Sequence, residues 1–156
     1  MTVKEFKVQY SLGTMSSGAC VDWIYSMNHP HRIPGYLLAT LSKNDSWRVR
    51  RATAHHENTP ISVLRELSTD KILEVRMSVA SNQRTPSEIL DKLAIGTGYQ
   101  LKDRVAMNPN TPPDTLVRLG KCFHHPTYFY AQDNPNHPDH DDYAFRRLHS
   151  RMTNNA

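Results

Sequence analysis

Residues 107–119 read MNPNTPPDTLVRL, and two asparagines and three prolines stand directly before a leucine-spaced run. The same order returns twice upstream, as SNQRTPSEILDKL at 81–93 and HHENTPISVLREL at 55–67. The spacing is regular. Pro60, Pro86 and Pro112 differ by 26 (86 − 60 = 26; 112 − 86 = 26), and the same step reaches Pro34 and Pro138. Other residues keep the step. Thr59, Thr85 and Thr111 precede the proline, while Leu38, Leu64, Leu90 and Leu116 follow four places after it. Leu41, Leu67, Leu93 and Leu119 follow seven places after it. Ala54, Ala80 and Ala106 stand six places before the proline, and Asn82, Asn108 and Asn134 four before it. Agreement across so many columns marks an internal repeat.

The chemistry of one repeat predicts two short helices. Thr-Pro reads as a helix start, with threonine capping free N–H groups and proline at the first helical position. Thr85 and Glu88 have the spacing of a capping box. Apolar residues three, four and seven places after the proline fall on one face of the helix that follows. Before Thr-Pro, the stretches SWRVRRATA, LEVRMSVA and LKDRVAM suit a second short helix, and HHEN, SNQR and MNPN suit the turn between them. Neither helix buries its apolar face alone, so stacked copies must supply the partner surface.

This pattern resembles the leucine-rich-repeat variant family, a relative of HEAT-like repeats. The resemblance rests on VRMSVASNQRTPSEILDKLA at 75–94, with weaker copies at 49–68 and 101–120, and spans roughly 23–150. It implies an all-α fold, a short right-handed helical solenoid of about five 26-residue two-helix repeats. Some members of that family carry an iron–sulfur cluster on clustered cysteines. Cys20 and Cys122 are the only cysteines here, so that feature does not carry over.

Composition bounds the rest. The chain has 156 residues, a hydrophobic content of 38%, a formal charge of +4 and a pI near 9.2. The low apolar content points to a thin or elongated domain, and the charge is mildly basic. Two distant cysteines, a charged MTVKEFKVQY start and no apolar run of about 20 residues point to a soluble cytoplasmic protein with no membrane partner. In residues 1–22, Phe6, Val8 and Tyr10 alternate with Lys7 and Gln9, which predicts a short strand or extended arm. SLGTMSSGAC then reads as a flexible linker, 23–150 as the repeat domain and 151–156 as a tail. The end copies depart from the pattern, with Ile33 in the threonine column, Gly35 inside a helix and Asp142 in a leucine column.

Candidate sites fall outside the regular columns. Arg50, Arg76 and Lys102 recur ten places before the proline and are expected to brace neighbouring repeats, with Asp70 and Glu74 near enough to pair. The asparagines are expected to form a buried ladder that satisfies turn backbones. Arg48, Arg51 and Arg65, with Lys43, are expected at the surface, where they suit a partner or a phosphate backbone. KCFHHPTYFYAQDNPNHPDHDD at 121–142 is the least regular stretch. Cys122, His124, His125, His137 and His140 are zinc-ligand types, with Asp139, Asp141 and Asp142 nearby, but their spacing matches no strong zinc pattern. Phe123, Tyr128, Phe129, Tyr130, Tyr143 and Phe145 suit a plug for the end of the core. Tyr128, Tyr130 and Tyr143 are the aromatic candidates for binding a partner. His29 and His55 also keep the step and read as surface histidines. AIGTGYQ is a loop with too few glycines for nucleotide binding.

No nucleophile, base and orienting group assemble in the sequence, so no catalytic, metal or cofactor site is expected. The expectation is a non-catalytic protein-interaction module, a small adaptor or inhibitor that docks on a larger protein. The alternative is a repeat protein that binds DNA or RNA backbones. The sequence leaves the oligomeric state open.

Overall fold

The computed structural model describes residues 1–27, 33–95, 98–121 and 125–143. Among them there are helices and turns but no strand. No helix among them is long and apolar enough to cross a membrane. The chain divides into two compact units, residues 1–84 and the part from Thr85 onward.

The first unit holds α1 (Val3–Ser11), α2 (Ser17–Ser26), α3 (Gly35–Leu41), α4 (Trp47–His55), α5 (Ile61–Leu67) and α6 (Leu73–Ser81). The second holds α7 (Ser87–Ala94), α8 (Tyr99–Met107), α9 (Pro113–Leu119) and α10 (Pro126–Asp133), with residues 140–143 also helical. Helices of two or three turns are marginal alone in water, so packing must hold them. In the first unit, α4 lies between α2 and α6 and also touches α3 and α5. In the second, α8 packs on α7, α9 and α10. Leu38, Leu41, Leu64 and Leu67 fill the first core, and Leu90, Leu93, Leu116 and Leu119 the second. Each such side chain contributes roughly 1.5–3 kcal/mol by leaving water. Ala54, Ala80 and Ala106 are fully buried, where small side chains permit close approach.

The amino-terminal reading needs correction. The expected strand and flexible linker are instead two capped helices. Thr2 and Glu5 form a reciprocal capping box at the start of α1. Gly13 adopts φ +67 after α1, which glycine does without steric cost. Its N–H reaches Tyr10 O at 3.1 Å and the Thr14 N–H reaches Gln9 O at 3.2 Å, closing the helix as a Schellman motif. Ser16 then caps α2 by accepting the Ala19 N–H at 3.2 Å. Phe6 is buried and stacks on Trp23 with centroids 3.6 Å apart. The alternation of apolar residues misled because Val8 is exposed and only Phe6 is sealed.

Thr-Pro also acts differently from expectation. Pro34, Pro60, Pro86 and Pro112 sit one residue before the helix, with ψ between 144 and 151, and no side chain caps α3, α5, α7 or α9. The threonine is a tie instead of a cap. Thr59 donates its hydroxyl to Thr53 O at 2.5 Å, and Thr111 donates to Val105 O at 2.5 Å. Each bond adds a second donor to a carbonyl at the end of the preceding helix, which also accepts the N–H of His56 or of Asn108, at 3.2 and 3.0 Å. The column is therefore a buried one, which is why Ile33 fits it in the first copy. Gly35 has a packing reason too, since a Cβ there would meet Pro60 Cγ at 3.1 Å.

Candidate functional site

Three polar columns are absorbed by the scaffold. The asparagine column makes the tightest set of bonds. In the first unit, Asn82 donates its amide to Ala54 O at 2.8 Å and His56 O at 3.0 Å, and accepts the Arg84 N–H at 2.9 Å. In the second, Asn134 donates to Ala106 O at 2.7 Å and Asn108 O at 2.9 Å, and accepts the Asn136 N–H at 3.0 Å. At least three of the four hydrogen-bonding positions of each carboxamide are thus filled in a buried site. These contacts match the expected ladder within each unit.

The basic column braces loops. Arg50 grips Asp70 with two nitrogens at 2.6 and 3.2 Å, and donates to Asn44 O and Asp45 O at 2.8 and 2.9 Å. Arg76 donates to Asp70 O at 2.6 Å. Lys102 departs from this pattern and lies 5.8 Å over the Tyr99 ring. Asp70 is the partner expected from sequence, but sequence reasoning missed that it belongs to a column of acceptors. Asn44 and Asp70 are 26 apart (70 − 44 = 26), and each side chain accepts the N–H two residues on, from Ser46 and Ile72 at 2.9 Å. Burial opposes the charge of Asp70, but the Arg50 and Ile72 bonds outweigh it and hold its carboxyl below the usual range.

Histidines serve the turns. His56, His125 and His137 each use ring Nδ1 to accept the N–H two residues on, at 3.1, 3.2 and 3.1 Å. Burial pushes the His56 and His137 rings toward the neutral form. His140 Nδ1 lies 3.2 Å from Gln132 O. Among the described residues, no three metal-ligating side chains converge. Cys122, Phe123, His124, Phe145 and His29 lie outside the described residues.

One arrangement imitates a catalytic set. Thr127 Oγ1 lies 2.7 Å from His125 Nδ1 and bonds Asp103, while Asp103 lies 3.6 Å from His125. The chemistry is reversed for catalysis. The hydroxyl gives its proton to the carboxylate, His125 Nδ1 already accepts the Thr127 N–H, and Thr127 is fully buried. A nucleophile needs its proton taken by an accessible base, and this hydroxyl is a tie between α8 and α10.

The partner candidates divide between the two units. Arg48 and Arg51 are exposed on α4, with Arg48 lying 5.1 Å over the Trp47 ring, and Arg65 is exposed on α5. Arg48 and Arg51 have no carboxylate partner among the described residues. In the second unit, Tyr130 is exposed, whereas Tyr128 and Tyr143 are half-buried and meet edge to face at 6.4 Å. Phe129 is 52% exposed and packs edge-on against Tyr128. It points outward more than the tyrosines chosen from sequence. An open cleft of ≈ 640 Å³ in the first unit is lined by His55, Glu57 and Asn58 on one side and Ser81, Asn82, Gln83 and Arg84 on the other.

No known protein family, curated protein or solved structure matches this chain.

Proposed function

We propose that this protein is a non-catalytic protein-interaction module, a small adaptor or inhibitor that docks on a larger protein through a short helical-repeat scaffold. The scaffold is read as a right-handed solenoid of about five 26-residue repeats, of the leucine-rich-repeat variant kind. One observation carries the reading. The asparagine, threonine and arginine columns spend their polar groups on turn and helix-end carbonyls and on the Asp70 carboxylate, while Phe129, Tyr130, Arg48 and Arg51 stay exposed. Side chains not used by the scaffold are the ones free to recognise a partner, and aromatic and arginine residues are the types that dominate binding energy.

A nucleic-acid reading has its own support. Arg48 and Arg51 are one helical turn apart on α4, beside an indole, with no carboxylate pairing either among the described residues. Backbone phosphates would suit that face, and such binding would weaken steeply with salt.

Capture from native lysate, with and without nuclease, separates the two. Alanine replacement of Arg48, Arg51 and Arg65 is compared with alanine replacement of Tyr128, Phe129, Tyr130 and Tyr143, after each variant is shown to fold. Loss of a nuclease-resistant partner in either variant supports the protein reading. Capture that vanishes with nuclease replaces it with the nucleic-acid reading. Unchanged capture in both variants means that neither surface is the site.

A further inference from the structure

The asparagine column has an exception at its first described turn, where His56 stands in the place of Asn82 and Asn134 (82 − 56 = 26). His56 is 2% exposed. Its Nδ1 accepts the Asn58 N–H at 3.1 Å, as the asparagine oxygens accept theirs. That bond fixes the tautomer, because an accepting Nδ1 leaves the proton on Nε2. Nε2 is sealed from water and has no partner at hydrogen-bond distance among the described residues, the Met27 backbone offering the ring only a weaker attraction. The two donations that Asn82 and Asn134 make have no counterpart here among the described residues.

Proton uptake at this ring has a defined consequence. A second proton would sit on Nδ1 and face the Asn58 N–H, donor against donor. The turn would lose its side-chain bond, and a cation would be left in a buried place. Two bonds across the cleft end on this same turn. His56 O accepts the Asn82 amide at 3.0 Å, and Glu57 O accepts Arg84 Nη1 at 3.3 Å. Asn58, whose N–H the ring holds, lines the cleft beside His55 and Glu57.

We propose that His56 is an acid-sensitive latch: as a neutral ring it holds the 55–58 turn against the Asn82 and Arg84 side of the cleft, and its protonation releases that wall. Burial is the main force keeping the ring neutral, and His55 adds to it. Glu57 and the Met27 backbone of the segment after α2 oppose it without prevailing. From the α6 side, the neutral Asn82 and the cationic Arg84 meet the turn through its carbonyls. The sign follows from linkage. The folded ring binds its proton below the ordinary 6.5, so the full stability is present above that value and declines as pH falls below it. Each unit of depression lowers the acid-side folded ratio about tenfold.

The test is an assigned NMR titration of the full chain, following the His56 ring and the protection factor of the Asn58 amide. The expected result is an Nε2–H tautomer that titrates below 6.5, with Asn58 protection lost over the same pH range. A ring that titrates at or above 6.5, or Asn58 protection indifferent to it, overturns the proposal. His56→Asn installs the residue that the column uses elsewhere. It should flatten the fall in unfolding midpoint between about pH 7 and pH 5, whereas His137→Asn should leave the cleft's response in place. A His56→Asn chain that keeps the whole wild-type slope also overturns the proposal. If that variant does not fold, the wild-type titration decides alone.

Discussion

The turn after α4 and the turn after α10 share a skeleton but not a side chain. In both, the first residue accepts the N–H two places on through its side chain, to His56 at 3.1 Å and to Asn134 at 3.0 Å. In both, its carbonyl accepts the N–H three places on, from Thr59 at 3.1 Å and from His137 at 2.9 Å. The difference lies in the donors. Asn134 also donates to Ala106 O and Asn108 O, whereas His56 Nε2 makes no such bond among the described residues. The acceptor function makes the turn, and the amide donors tie it to the preceding repeat. Either residue serves the first role, but only asparagine serves both.

If the turns are secondary to the leucine columns, a leucine loss must cost more than any turn change. Leu90 is fully buried in the second unit. Leu90→Ala should lower the unfolding free energy by roughly 2–5 kcal/mol, through lost burial and the cavity left behind. Chemical denaturation measures it, and a change under about 0.5 kcal/mol would place this column outside the core. The turn itself is tested by Asn134→Ala, which strips two buried carbonyls of their donor. It should cost about 1–3 kcal/mol. A cost near zero would mean that the amide donors are replaceable and that His56 lacks nothing.

The acid limb of the stability curve probes the other polar column. The folded Asp70 carboxyl is held below its ordinary 3.8, with Arg50 and Ile72 overcoming burial. Asp91 is held low by Thr115 first and then by Arg118. Both bind protons less readily when folded. Their stabilisation is therefore present above 3.8 and is lost as pH falls through the lower folded values. Asp70→Asn keeps an oxygen for Ile72 and removes the charge. Its unfolding midpoint should fall less than the wild type's between about pH 4 and pH 2.5. Parallel curves would show that the Asp70 carboxylate contributes nothing to the acid limb.

Much of this was legible because a repeat presents each position several times. The leucine, proline and asparagine columns pointed to α3–α9, their order and the buried asparagines. Two kinds of feature were not legible. Thr59 and Pro60 look like a cap and a first helical residue, since both readings need the same two residue types. Only the bond from Thr59 to Thr53 O separates a tie from a cap. Residues 1–22 have no second copy to compare, so alternation around Phe6 was read as strand although Thr2 and Glu5 have capping-box spacing. For the candidate surface, exposure on α10 depends on which aromatic faces the core. Tyr128 and Phe129 differ there by one position on the helix. The Asn44–Asp70 column was present in the 26-residue step, but two copies are too few to stand out.

The smallest effect sharpens the contrast between two ion pairs of nearly equal length. Arg50 meets Asp70 at 2.6 Å and Arg118 meets Asp91 at 2.7 Å. Distance alone would rank them together. Their surroundings do not, because the side chains are 12% and 7% exposed in the first pair and 49% and 41% exposed in the second. Water screens the exposed pair and competes for its hydrogen bonds, and the long Arg118 side chain loses freedom in forming it. Asp91 also keeps a second partner, the Thr115 hydroxyl, when the arginine is gone. Arg118→Ala should therefore change the unfolding free energy by less than about 0.5 kcal/mol, and added salt should erase most of that. Arg50→Ala removes a guanidinium that also holds Asn44 O and Asp45 O and leaves Asp70 partly buried without its cation. It should cost several times more, about 1.5–3 kcal/mol, with little response to salt. Equal costs for the two substitutions, measured by denaturation at low and high salt, would show that burial does not set the strength of these pairs.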